Sequence, residues 1–136
     1  MKTMPSDPTA LDQIVVVHSD YAELMKLTVA LGEMRYHVTS AHATRALRRA
    51  LQLAALVPRA LVVSLDGKET VTDVRDLVTR AAPAPALLLS PRMPPRPAMA
   101  RIVNEHGGAI LARGESPIVV VSTLVSLIAQ RSGVER

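Results

Sequence analysis

The 136-residue chain has no cysteine, phenylalanine or tryptophan, and only two tyrosines. Without cysteine there is no disulfide, no thiol nucleophile and no thiolate metal site. Tyr21 and Tyr36 are the only rings able to stack on bases, so a single-strand nucleic-acid platform is poorly supported. Charge is sparse as well: 21% of residues carry it, with 16 Lys and Arg against 12 Asp and Glu, a net +4. Thirteen of the cations are Arg, spread along the chain, and Arg48-Arg49 is the only adjacent pair. A diffuse basic surface is ordinarily just solvated, so nucleic acid is not the expected partner. No apolar run approaches the 18 or so residues of a membrane span, and the first twelve positions lack a signal-peptide core. The expectation is a cytoplasmic protein without membrane contact.

What is present is apolar. Hydrophobic residues make up 49% of the chain, which excludes disorder for most of it. The length fits one domain with a proper core. Residues 1–12, with Pro5 and Pro8, are expected to be a flexible tail. Residues 13–17, 60–65 and 86–89 are runs that are apolar apart from Gln13 and Ser64 and show no alternation, the mark of strands buried on both faces. Weaker strand candidates lie at 37–41 and 108–112. Between them helical spacing recurs: Leu24, Leu27, Leu31 and Met34; then residues 44–57 with Leu47, Leu51 and Ala54 inward, ended by Pro58. Val71, Val74, Leu77 and Val78 follow, then Met99, Ile102 and Val103 behind Pro97, with Gly107 as the stop. Ser116 and Pro117 open a last helix reaching about Gln130.

Five strands alternating with five helices require parallel pairing and a sheet covered on both faces. An eight-unit barrel needs about 250 residues and cannot fit. The predicted fold is therefore α/β: a flavodoxin-like (βα)5 three-layer sandwich, its parallel five-stranded sheet ordered 2-1-3-4-5. The domain should span 13–131, with 132–136 as a C-terminal tail.

In such sheets ligand chemistry sits at the carboxyl ends of the strands. Those positions hold His18, Ser19 and Asp20 after the first strand, Ser64 and Asp66 after the third, Ser90 after the fourth and Arg113 after the fifth. With Ile14-Val15-Val16-Val17-His18-Ser19-Asp20, Arg35-Tyr36-His37-Val38-Thr39-Ser40-Ala41, the run from Pro58 to Ser64, and Gly107-Gly108-Ala109, the chain resembles the receiver domain of bacterial response regulators over 13–130.

The resemblance implies an aspartate closing the third strand that accepts a phosphoryl group, with Mg²⁺ held by it and by an acidic pair closing the first. A Thr or Ser after the fourth strand and a Lys after the fifth then read the phosphate. On this chain the acidic pair falls on His18 and Ser19, the acceptor on Ser64, the Thr/Ser position on Ser90 and the Lys position on Arg113. Only Ser90 matches the pattern. A neutral His-Ser pair supplies little charge to hold Mg²⁺, and a serine hydroxyl cannot form an acyl phosphate. The expectation is thus a stand-alone degenerate receiver, a pseudo-receiver, acting in bacterial signalling by protein contact. It would be no enzyme, and would need no cofactor or metal.

Two alternatives remain at this point. Asp66 lies two residues past Ser64, about 6.6 Å further along a continuing strand and on the same face. In that register Asp66 is the phosphoacceptor of a competent response regulator, with Asp20 the surviving acid. The plainer assignment makes Asp66-Gly67 a turn and Asp20 the cap of the first helix. In the second alternative His18, His42, Asp20 and Asp66 form a metal or acid-base cluster, with His42 in a loop. His106, before two glycines, needs no role beyond a helix C-terminus.

The last helix is apolar on nearly every side. Ile118, Val121, Val125 and Ile128 form one stripe, and Val119, Val120, Leu124 and Leu127 much of another. The first stripe, with Met99 and Arg101, is the expected surface for homodimerisation or a partner. A broad core face is the competing assignment.

Overall fold

The computed structural model describes residues 13–134, with side chains to 130. The expected tail at 1–12 lies outside the described residues. In chain order the elements are β1 (Gln13–His18), α1 (Tyr21–Glu33), β2 (His37–His42), α2 (Ala46–Leu53), β3 (Ala60–Ser64), α3 (Val71–Ala81), β4 (Ala86–Ser90), α4 (Pro97–Glu105), β5 (Ala109–Ala112) and α5 (Pro117–Val134). All strand pairs are parallel and the order is β2-β1-β3-β4-β5, as predicted.

The absence of alternation in the central strands has the structural basis expected of it. Ile14 and Val16 of β1, Ala60 and Val62 of β3, and Leu87 and Leu89 of β4 pack under α1 and α5. Their neighbours Val15, Val17, Leu61, Val63 and Leu88 pack against α2, α3 and α4. Both faces are covered, so both parities must be apolar. Edge strand β2 has no buried residue, which is why its sequence signal is weak.

Local chemistry sets the boundaries. The Asp20 side chain accepts from Glu23 N–H and caps α1. Thr70 and Asp73 form a capping box at α3, and Pro97 occupies the first turn of α4. Gly107 takes φ 76° after α4. Gly108 is where β5 comes close to β4: a Cβ there would sit 2.2 Å from the Ala86 carbonyl oxygen.

Four expectations change. The helix predicted over 44–57 starts at Ala46 and tightens into a 3₁₀ turn, Ala54–Leu56. Val57 then turns left-handed at φ 52° and ends the helix before Pro58. Strand β2 extends through His42, which is therefore on the sheet and not in a loop. The helix α5 runs to Val134, so the tail expected at 132–136 is helical through 134. Lastly, Val121, Ile128 and Met99 are core residues, 6–7% exposed. Val121 and Ile128 face inward from α5 into the cluster with β1, β3 and β4, whereas Met99 lies in the opposite cluster with α3. Of the predicted interface set, Ile118 and Arg101 remain on the surface and Val125 is half-buried.

Candidate functional site

The sheet register brings the ends of β1 and β3 together. Val17 is paired with Val63, so His18 and Ser64 are the next residues on adjacent strands. Both are sealed: His18 is 2% exposed and Ser64 1%. Ser64 Oγ accepts from the Ser19 backbone N–H at 3.1 Å, which ties the β1–α1 loop to the end of β3. Residue 113 closes the arrangement from the far side of the sheet. Its guanidinium donates to Ser19 Oγ at 2.7 Å, across 94 positions of chain, while its backbone N–H donates to the Ser90 carbonyl at 2.8 Å.

His18 Nδ1 accepts from Asp20 N–H at 3.0 Å, so the proton of the neutral imidazole is on Nε2. That Nε2 is buried without a hydrogen-bond partner among the described residues. Burial, reinforced by the positive charge of Arg113, pushes the imidazole below its ordinary pKa and keeps it neutral. The Asp20 carboxyl is held below the usual carboxylate range, chiefly by the Glu23 N–H it accepts. It lies exposed on the α1 cap and not among the buried groups.

The predicted site residues therefore divide. Ser19, Ser64 and Arg113 form one hydrogen-bonded group, and His18, at the end of β1 next to Ser64, is bonded instead to the Asp20 N–H. Ser90 stands apart, its hydroxyl donating to Arg92 O at 2.7 Å and accepting from Arg92 N–H at 3.2 Å within its own loop. Asp66 is beyond the end of β3, exposed, with Oδ1 accepting from Lys68 N–H at 2.8 Å. Gly67 follows at φ 93°, and Glu69 accepts from the N–H groups of Asp66 and Gly67. This is the turn of the plainer assignment.

His42 donates from Nε2 to the Ser19 carbonyl at 2.9 Å and stands edge-on to Tyr21, ring centroids 5.7 Å apart. It braces the loop. Sequence reasoning missed the partnership of Tyr21 and the clamp of Glu69. The second had a visible signal, an acid two residues past Asp66-Gly67.

The charge of this group is the reverse of what a hard cation needs. Mg²⁺ selects anionic oxygens in octahedral array. Here the donors are a neutral imidazole and two hydroxyls, and the one formal charge bonded among them is the guanidinium of Arg113. These residues do not fit Mg²⁺. Among the described residues, no three His, Asp or Glu side chains group as metal ligands.

No protein-family profile matches the chain, and no curated protein matches it. Solved structures do match. A CheY-like response regulator receiver domain from Methanospirillum hungatei superposes with TM-score 0.71 at 13% identity, over 90% of this chain and 98% of that one. This is the receiver fold. A chemotaxis response regulator of Vibrio cholerae gives TM-score 0.66 at 15% identity, over 86% of this chain and 98% of its own. The signal receiver domain of a modulated diguanylate cyclase from Desulfovibrio desulfuricans gives 0.66 at 16%, over 93% and 99%. Identities this low speak to the fold alone. No described helix is long and apolar enough to cross a membrane.

Proposed function

We propose that the chain is a degenerate receiver that works in bacterial signal transduction through protein contact, without aspartyl phosphorylation and without catalysing a reaction. One observation carries this: Ser64 occupies the end of β3, and the group around it is bonded shut by Arg113. Phosphoryl transfer to a carboxylate depends on a cation to neutralise the incoming phosphate. With a serine as acceptor and a guanidinium fastened to Ser19, the pocket offers neither an acyl-phosphate site nor anionic ligands for that cation.

The two positions that read a phosphate in receivers are already engaged. Ser90 is closed onto Arg92, and Arg113 is held by Ser19. The surface shown to a partner is then set by the fold and not by a phosphate. A contact between two copies would use the start of α5, where Ile118 is 78% exposed and Val119 39%, with half-buried Val125 on the same helix and the exposed Arg101 of α4.

The test is intact-mass spectrometry after incubation with acetyl phosphate and Mg²⁺, beside an Asp66→Ala control. The expected result is an unchanged mass in both proteins. A phosphate adduct present in the parent and absent in the control would make Asp66 the acceptor and overturn the proposal.

A further inference from the structure

A cationic groove runs along the carboxyl rim next to the Ser64 group. One part is a cavity of about 360 Å³ between the β3–α3 turn and the β4–α4 loop, lined by Leu65 and Met99 and walled by Pro91 and Pro95. The other, about 650 Å³, lies between the same turn and the first turns of α2. Both are lined by Asp66, Lys68 and Glu69, so the turn is a ridge within one continuous surface.

Five cations line it: Arg45, Arg48, Lys68, Arg92 and Arg96. All are exposed, and none takes part in a hydrogen bond or ion pair of its side chain among the described residues. The three acids of the groove are in a different condition. Asp66 accepts from Lys68 N–H, Glu69 from Asp66 and Gly67 N–H, and Asp73 from Thr70 N–H. The acids are committed to their own backbone, and the cations are committed to nothing.

We propose that this groove docks an acidic segment of a partner protein, its carboxylates meeting the five cations and its aliphatic side chains lying between them. Charge complementarity selects the sign. The spacing selects polypeptide over nucleic acid. Asp66, Glu69 and Asp73 interrupt the cations, so an evenly charged phosphate chain would meet carboxylates, and no aromatic ring lines either cavity for base stacking. An acidic peptide can place carboxylates only where the cations are. The inference rests on the proposal that the domain acts by protein contact, and adds the face and the charge of the partner.

The test is a ¹⁵N-correlation NMR titration of the full chain with a short synthetic peptide of Glu, Asp and Leu. A Lys and Leu peptide and an oligo-dT of similar length run alongside. Expected are saturable shifts in 44–51, 65–69 and 91–96 with the acidic peptide only. Binding should fall about tenfold or more in Arg92→Glu/Arg96→Glu and stay unchanged in the exposed control pair Arg75→Glu/Arg80→Glu on α3. Absence of shifts, shifts scattered over the surface, equal loss in the control pair, or tighter binding of oligo-dT would each overturn it. Failure here leaves the acetyl phosphate result untouched, so the two proposals fall separately.

Discussion

Ser64 and Asp66 stand two residues apart on the same rim, in opposite surroundings. Ser64 is 1% exposed and bonded to the loop after β1, at the position where the fold concentrates chemistry. Asp66 is exposed and occupied with the N–H of Lys68. The end of β3 thus holds no acid, and the nearby acid is hydrogen-bonded within its own turn. The same contrast extends to the cations: Arg113 is drawn inward to Ser19, while Arg92, Arg96 and Lys68 stay open on the groove. A residue's type says what chemistry it can do, and its place on the sheet edge says whether it can do it.

Perturbing the interior should cost far more than perturbing the rim. The largest effect is expected from Ile128→Arg, which puts a charge into the cluster beneath α5. It should remove about 4 kcal/mol or more of stability, read by thermal or urea unfolding. A variant that dissociates a dimer yet melts like the parent would return Ile128 to an interface.

His18 comes next, and its signature is pH. The buried imidazole has a pKa below its ordinary 6.5, so the unfolded chain binds that proton more readily than the folded one. Stability should be full above about pH 6.5 and fall below it, by at most about 1.4 kcal/mol per pH unit, until the folded-state pKa is reached. His18→Asn keeps an acceptor for Asp20 N–H and should flatten this slope, measured by urea unfolding from pH 8 to 5. An unchanged slope would place the titrating group elsewhere. Thr70→Ala removes half of the α3 capping box and should cost about 1 kcal/mol. Asp66→Ala should be smallest, within about 0.5 kcal/mol, because an exposed turn residue gives up one local hydrogen bond. A loss of several kcal/mol there would make the turn integral to the core.

Much of this was legible in the chain. The runs 14–17, 60–65 and 86–89, Ser64 aside, are apolar without alternation because each is covered on two faces, and that pattern alone gives a parallel sheet with helices on both sides. The Asp20 cap and the Asp66-Gly67 turn follow from side chains acting on their own backbone. Helix α5 was harder, since its apolar residues are spread around the axis. Nothing in the sequence distinguishes Val121 and Ile128, which meet the sheet, from Ile118, which meets solvent. Least legible were contacts made across the fold. The Arg113 bond to Ser19 joins β5 to the β1 loop, and only the three-dimensional order of strands brings them within reach.

The Ser64 group contains no anionic ligand and is bonded to the Arg113 guanidinium, and the proposal that follows is that it takes up neither Mg²⁺ nor a phosphoryl group. It is tested most directly by titrating ¹⁵N-labelled protein with Mg²⁺ and then beryllofluoride, an acyl-phosphate mimic, while following the amides of Ser19, Ser64, Leu65, Ser90 and Arg113. These amides are expected to stay in place through both additions. Saturable shifts centred on them would contradict it and show a working phosphoryl site.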